Sequence, residues 1–294
     1  MTTMMLWTWK EMYRKRFTWM TVILTAAFLL AFWFVAREIS ADLREPWFEP
    51  TDPASVVRRF ENAAVILALG FFFGSFVLAF FAVFGAVAAV NGETEQGTLL
   101  SVLSRPIRRW QWYLGRWIGF VVSGVVYAAA LFAALLFVAA WHTGIAYDPI
   151  VVLKAFVLFA SVVPLLVSVT MLGSCKWSAM SNGIVMTMLY GIGMLGGMIE
   201  RILGFGLDES QSRPALRTIA GLMSLAMPAD GIQRRMLAEL LSVFEVRDLV
   251  GGLDHRLGPL GVGQVPSDAF LAYAALYGLS ALLAGIAVFR HKDL

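Results

Sequence analysis

The residues that come closest to a chemical motif lie in a charged stretch between two long apolar runs. Gly92, four further residues, Gly97 and Thr98 reproduce the glycine spacing of the phosphate-binding loop GxxxxGK[ST]. That loop binds phosphates with backbone N–H groups and a lysine, and the lysine is missing here. The loop also requires a buried strand before it and a helix after it. We therefore expect no cofactor, and no ATP in particular, to bind this chain.

Metal-binding residues are equally scarce. The single cysteine, Cys175, excludes an internal disulfide and gives no CxxC spacing, so we interpret it as a free thiol. His142, His255 and His291 fall in separate loops or tails, where we expect each to be a solvated surface residue. Methionines in the fifth apolar run are better explained by packing than by soft-metal binding. The sequence therefore predicts neither a catalytic nor a metal site.

The composition is that of a membrane protein. Hydrophobic residues make up 59% of the 294 positions and charged residues 15%, with a mean hydropathy of +0.74. An average soluble domain is about 25% charged. The basic residues flank apolar runs instead of forming a stripe with interleaved aromatic residues, so nucleic acid is not an expected partner. The expected partner is the lipid bilayer.

Six apolar segments of about 20 residues are long enough to cross a hydrocarbon core as helices. Lipid requires every backbone polar group to be satisfied within such a segment, and the alternation typical of a membrane β-barrel is absent from these runs. The predicted fold is therefore an all-α membrane protein with one transmembrane domain over residues 1–294. Its predicted transmembrane helices are residues 17–36, 63–90, 117–140, 150–172, 182–199 and 269–289.

The distribution of lysine and arginine predicts the orientation. With a cytoplasmic N-terminus, the inside segments hold 11 basic residues in 56 positions, and the outside segments hold 11 in 102. This difference predicts that both termini are cytoplasmic. The first apolar run is too long for a signal peptide and lacks a clear cleavage site, so we expect it to be retained. Residues 1–16 are amphipathic at helical period and are predicted to lie in the membrane interface.

The charged stretch then faces the cytoplasm. A predicted helix over residues 93–104 has Glu93 and Glu95 near its positive N-terminal end, and Arg105 followed by Pro106 ends it. An apolar face on a cytoplasmic loop indicates a docking surface rather than a solvated turn. That face consists of Leu99, Leu100, Val102 and Leu103.

The run NGETEQGTLLSVLSRPIRRWQWYLGRW, residues 91–117, resembles the signature of ABC-2-type transporter permeases. In that family an E-x-x-x-GTL turn and a leucine-rich helix lead into a serine-arginine-proline corner and a basic aromatic stretch. The segment MPADGIQRRML, residues 227–237, and the ending VFRHKDL are similar to other parts of the family. The matching positions of the main motif are Glu93, Gly97, Thr98, Leu99, Leu100, Ser104, Arg105, Pro106, Arg109 and Gly115.

The resemblance implies that residues 91–116, between helices 2 and 3, contain a coupling helix that binds a groove of a separate ATP-binding subunit. Two copies of that subunit would bind ATP and Mg and hydrolyse the ATP, and this chain would be a transport subunit without enzymatic activity. The implied apolar anchors are Leu99, Leu100 and Leu103. The implied polar contacts are Glu93, Glu95, Arg105 and Arg109.

The resemblance also implies a second permease chain, forming a homodimer, and an exporter in the inner or plasma membrane. Gly193 and Gly197 in the fifth run have the GxxxG spacing that lets helices approach closely, and they form one candidate packing face. Gly70 and Gly74 in the second run are an equal candidate. The sequence does not identify the transported substrate.

Residues 201–268 form the longest predicted outside segment. Asp230 is predicted to cap an amphipathic helix that lies on, or dips into, the outer interface, with Arg234, Arg235 and Glu239 on its polar face. An external accessory protein is an open partner for this segment. Glu200 and Lys154 lie near predicted helix ends, where long side chains reach the interface, so no ion relay is expected. The predicted apolar face of the helix is Ile232, Met236, Leu240, Val243 and Phe244.

Two other functions stay open at this stage. A membrane-embedded enzyme that modifies lipids requires Asp, His or Ser residues clustered at one membrane depth, and the sequence offers no such cluster. A non-transporting anchor or assembly subunit would differ from a permease in having no effect on an ATPase.

Overall fold

The computed structural model describes residues 16–44, 53–92, 108–206, 214–242, 261 and 265–291. In this part of the chain all regular structure is helical, which confirms the all-α prediction. A short 3-10 helix, Ala41–Arg44, follows the first α-helix. The α-helices are α1 (Arg16–Ile39), α2 (Pro53–Ala86), α3 (Arg109–Thr143), α4 (Pro149–Ser174), α5 (Ala179–Gly206), α6 (Pro214–Ala226), α7 (Ala229–Ser242) and α8 (Asp268–Arg290).

Six of these helices, α1 to α5 and α8, are long and apolar enough to cross a membrane. This count confirms the sequence prediction, and the chain is a multi-pass membrane protein. The most apolar window of α5 has the lowest mean hydropathy of the six, 1.4. The many glycines of α5 account for this low mean hydropathy, and they also determine how closely other helices approach α5.

Two helices extend well beyond the apolar runs that predicted them. Helix α2 begins at Pro53 instead of residue 63, and α3 begins at Arg109 instead of residue 117. Charged residues such as Arg58 lower the hydropathy but do not interrupt helical hydrogen bonds. With 34 and 35 residues, these helices are each about 50 Å long at about 1.5 Å per residue. A hydrocarbon core is about 30 Å thick, so both helices project beyond it.

Helix α2 lies at the centre of the bundle. In its most apolar window 67% of the residues are buried, compared with 22% in α1 and in α8. It packs against α1, α3 and α4. Three phenylalanines join α2, α3 and α4: the ring of Phe71 lies 5.2 Å from that of Phe132 and 5.5 Å from that of Phe159. Aromatic pairs at such distances add to the burial energy of the core.

The bundle has two ends, which we name by what lies there. At the segment end, α2 ends, α3 begins and the chain passes through residues 93–107. At the hairpin end, α6 and α7 enter the bundle as a helical hairpin. Helix α6 packs on α5, whereas α7 is surrounded by α4, α5, α2 and α8.

The turn of the hairpin lies deep in the bundle. The hydroxyl of Tyr277 donates a hydrogen bond to the carbonyl of Ala226 at 3.0 Å, and that of Tyr273 donates to the carbonyl of Leu225 at 2.8 Å. Tyr277 follows Asp268, the first residue of α8, by nine positions, which is about 14 Å along a helix. This is close to half of a hydrocarbon core of about 30 Å. The helix predicted at Asp230 is therefore one arm of a helical hairpin, and it packs among α2, α4, α5 and α8.

Candidate functional site

Most of the residues predicted to contact an ATP-binding subunit lie outside the described part of the chain. The same holds for the predicted helix 93–104 and, except for Arg16, for the predicted interfacial helix 1–16. Among the predicted contacts, Arg109 is described, at the start of α3. The others are Glu93, Glu95, Gly97, Thr98, Leu99, Leu100, Leu103, Ser104, Arg105 and Pro106.

Arg109 connects the start of α3 with the end of α8. Its Nη1 donates a hydrogen bond to the carbonyl oxygen of Arg290, the last residue of α8, at 3.3 Å. The last carbonyls of a helix have no partner within the helix and carry a partial negative charge, so a guanidinium is a favourable partner. Arg109 is exposed, and it thus has an interaction within the chain besides the predicted contact with a partner.

Aromatic packing reinforces this connection. The ring of Trp112 stacks on that of Phe289 with centroids 5.1 Å apart, and both side chains are buried. A β-carbon at Gly285 would overlap the Tyr113 hydroxyl, so glycine permits the close approach of α3 and α8. The first two turns of α3 are therefore fixed on the last two turns of α8.

Arg116 is completely buried in the same region. Its guanidinium carbon lies 5.9 Å from the ring centroid of Trp112 and 5.1 Å from that of Phe120. Cation–π contacts of this kind are worth about 2 kcal/mol when they are desolvated. The segment end thus holds a buried positive charge between aromatic rings, two turns of helix beyond the undescribed segment.

The hairpin end contains a cluster of four charged residues that the sequence did not predict. Arg201 Nη2 lies 2.7 Å from Asp230 Oδ1, and Arg234 Nε lies 3.1 Å from Asp230 Oδ2. Arg234 Nη2 lies 2.6 Å from Glu200 Oε2. The exposed fractions of the four side chains are 8% for Arg201, 6% for Asp230, 3% for Arg234 and 22% for Glu200. We call these residues the hairpin charge cluster.

Three expectations are corrected by this cluster. Asp230 is the second residue of α7 and pairs with two arginines, so it is not the predicted cap. Arg234 was expected on a solvated face and is buried. Glu200 was expected near a helix end, where its side chain reaches the interface, but α5 continues to Gly206 and Glu200 pairs with Arg234. A helical period identifies an apolar face, but it does not reveal that α7 has neighbours on both faces.

The cluster is neutral as a whole, because two guanidiniums face two carboxylates. The Arg201 guanidinium carbon also lies 5.8 Å from the ring centroid of Phe72 on α2. Removing one partner of a buried ion pair leaves an uncompensated charge and typically costs about 3–5 kcal/mol. The cluster therefore binds α7 firmly to the end of α5.

The glycines of α5 make room for the hairpin. A β-carbon at Gly193 would overlap the carbonyl of Met227 in the turn, and one at Gly197 would overlap the Asp230 carboxylate. Gly196 faces Ala220 and Ser224 of α6 in the same way. The close approach that the GxxxG spacing predicted is thus made within one chain. A contact between two chains stays a prediction.

The remaining candidate groups are structural. Cys175 is a free, buried thiol. His142 was expected to be solvated and is instead 9% exposed in the last turn of α3, 4.6 Å from the ring of Trp33. Within the ranges that the structure describes, no three His, Cys, Asp or Glu side chains are grouped so as to hold a metal ion.

Comparison with known protein families matches residues 5–294 to the family described as ABC-2 family transporter protein. No curated protein sequence matches the chain. The family match extends over all six membrane-crossing helices, the segment between α2 and α3, and the hairpin. It also agrees with the resemblance of residues 91–117. The chain is therefore a membrane protein of the ABC-2 transporter family.

Proposed function

We propose that this chain is the permease subunit of an ABC-2-type transporter and that a separate ATP-binding subunit drives it through residues 91–116. Two copies of that subunit bind ATP and Mg, and this chain contributes the membrane path. The segment end faces the cytoplasm, the hairpin end faces outward, and both termini are cytoplasmic. The membrane is the inner or plasma membrane.

The extension of α3 at the segment end, where it begins at Arg109 instead of residue 117, supports this proposal best. A membrane protein that receives force from a soluble partner needs stiff levers on that side of the bilayer. Helix α3 begins at Arg109, three residues after the proline of the predicted segment, and its first turns are fixed on α8. Displacement of the segment therefore acts on a helix that is already joined to the bundle.

A second copy of the chain fits the surface of α5. A groove of about 520 Å³ lies between the end of α2 and the start of α5, and its lining includes Phe84, Val87 and Gly183. Two further lining residues, Met180 and Met188, are 79% and 64% exposed. We propose that a second chain covers this groove and completes the path. An external accessory protein would contact the segments beside the hairpin, because α7 itself is buried.

Purification of the chain with and without its ATP-binding subunit tests the proposed division of labour. We expect the complex to hydrolyse ATP, and we expect the chain alone to bind no ATP, because its Gly92–Thr98 turn lacks the phosphate-binding lysine. The measurement is nucleotide binding by equilibrium dialysis followed by steady-state hydrolysis. Specific micromolar binding of ATP to the chain alone would contradict the proposal.

A further inference from the structure

The chain leaves α2 through a turn that is hydrogen-bonded to two other helices. Helix α2 ends at Ala86, and the next residues pass through a turn towards Gly92. The N–H groups of Val90 and Asn91 both lie within hydrogen-bond distance of Ser174 Oγ, at 3.0 and 3.4 Å. Ser174 is the last residue of α4 and is completely buried.

A buried asparagine at the start of α5 holds the same turn from the other side. Asn182 Nδ2 donates hydrogen bonds to the carbonyls of Val87 and Thr170, each at 3.0 Å. Its side chain is completely buried, and a β-carbon at Gly173 would overlap it. Both hydrogens of one amide group are thus engaged, one by the exit of α2 and one by α4. The Asn91 side chain also donates to the carbonyl of Trp177 between α4 and α5.

These contacts satisfy backbone groups that a helix end leaves without partners. The last carbonyls of α2 and the N–H groups after it could bond to water, as most exposed helix ends do. Here their partners are side chains of another part of the chain, in a buried place where an unsatisfied group costs about 1–3 kcal/mol. Directional bonds from two helices leave the exit of α2 little freedom to move by itself. We call this set of contacts the exit joint.

The exit joint lies at the start of a continuous series of contacts. Its residue Asn182 belongs to α5, and the far end of α5 is bound to the hairpin through Arg201 and Asp230. Movement of the exit of α2 is therefore passed to the corner between α4 and α5 by hydrogen bonds. It then passes along α5, a single helix of 28 residues, to the hairpin.

We propose that Ser174 and Asn182 are positioning residues for coupled transport. They hold the point where the chain enters residues 93–107 against the corner between α4 and α5, so that displacement of the segment moves α5 and the hairpin together. This inference rests on the proposed function, because it concerns how force from an ATP-binding subunit travels. It assigns a role to neutral side chains that carry no transport motif.

The test compares Ser174→Ala and Asn182→Ala with Thr170→Val in the complete complex in lipid nanodiscs. Thr170→Val is a matched control, since Thr170 is equally buried and its hydroxyl donates to the Leu166 carbonyl of its own helix at 2.7 Å. The substitution removes this hydroxyl and keeps the backbone carbonyl that accepts from Asn182. Spin labels at Phe137 and Leu222, both exposed, report the distance between α3 and the hairpin before and after addition of ATP, Mg and vanadate.

We expect all three variants to retain the ATP-binding subunit. In Ser174→Ala and Asn182→Ala the nucleotide-dependent distance change should fall to less than half of its wild-type size, and in Thr170→Val it should persist. A purely structural role would lower stability without changing the size of the movement. Ser174→Ala removes a single oxygen and therefore carries the test even if Asn182→Ala does not assemble.

The outcomes separate this inference from the proposed function. If the wild-type chain retains no ATP-binding subunit, the proposed function fails, and the inference fails with it. If the wild-type complex assembles and moves, and Ser174→Ala moves by the same distance, the inference alone is overturned. An equally large loss of the distance change in Thr170→Val would also overturn the inference, because any substitution near the end of α4 would then have the same effect.

Discussion

The two ends of the bundle are held together by different interactions. At the hairpin end, four buried charges pair between α5 and α7. At the segment end, the contacts are hydrogen bonds of the exit joint, aromatic packing between α3 and α8, and the cation–π contacts of Arg116, with no buried ion pair among those that the structure describes there. Buried ion pairs are costly to form and more costly to break singly, whereas neutral bonds tolerate change better. The hairpin end is therefore expected to be the more rigid attachment of the two.

The two ends also differ in the charged residues that are available to other molecules. The four charged side chains of the hairpin charge cluster pair with one another within the chain. At the segment end, Glu93, Glu95 and Arg105 of the coupling motif stay predicted contacts for an ATP-binding subunit.

The largest expected contrast between the two ends is their accessibility from outside the cell. Single cysteines at Thr3 and Asp293, in a Cys175→Ser background, should resist a membrane-impermeant thiol reagent, because the distribution of basic residues predicts that both termini are inside. One at Ser212, between α5 and α6, should react. Labelling of intact cells gives an all-or-none result. If the cysteine at position 293 reacts and the one at position 212 is protected, the proposed orientation of the two ends is wrong.

The second contrast is energetic and concerns two neighbouring arginines. Arg234→Ala should lower the free energy of unfolding by about 3–5 kcal/mol, because it removes two contacts of the buried cluster. Arg235→Ala is the matched control. Arg235 is 25% exposed, and its partners Glu239 and Asp268 are 28% and 88% exposed. Loss of such a surface pair should cost about 0–1 kcal/mol.

Unfolding in mixed detergent micelles, followed by circular dichroism, measures both values. Equal losses in the two variants would mean that the hairpin is not held by its charges. The comparison between the two ends of the bundle would then have no energetic basis.

The third contrast is steric and concerns the glycines of α5. Gly197→Ala places a methyl group against the Asp230 carboxylate and should cost about 1–3 kcal/mol, the usual penalty for overpacking. Gly191→Ala has open space around its β-carbon and should be neutral or stabilising by up to about 1 kcal/mol, because alanine favours helix. The same unfolding measurement applies. If Gly197→Ala leaves the free energy of unfolding unchanged, α7 packs on α5 more loosely than the structure indicates.

The six long helices followed from the sequence because hydropathy and length report directly on the solvent around a helix. Their ends did not follow as well. Helices α2 and α3 continue through charged turns, since hydrogen bonding and not hydropathy ends a helix. One arm of the hairpin was predicted as a helix that lies on, or dips into, the outer interface, but its packing among four other helices was not predicted. Its buried position depends on Asp230 and Arg234 finding partners far away in sequence, and no local pattern contains that information.

The candidate site was predicted mainly by resemblance. The leucines and charges of residues 93–106 match a family motif, and periodicity gave them one apolar face. The exit joint had no comparable signal, because Ser174 and Asn182 are common residue types at unremarkable spacing. A polar residue at the end of an apolar run, next to the start of another run, is the one hint that the sequence offered.

The measurement that tests the central claim most directly is retention of the ATP-binding subunit by a chain with Leu99→Asp and Leu103→Asp. Both positions lie outside the apolar runs, so the variant should insert normally yet lose the subunit during purification. Burial of one leucine is worth about 1.5–3 kcal/mol. Arg109→Ala is the milder control, and at about 0–1 kcal/mol for an exposed pair it should retain most of the subunit. Normal retention and normal ATP hydrolysis in the double variant would contradict coupling through this segment.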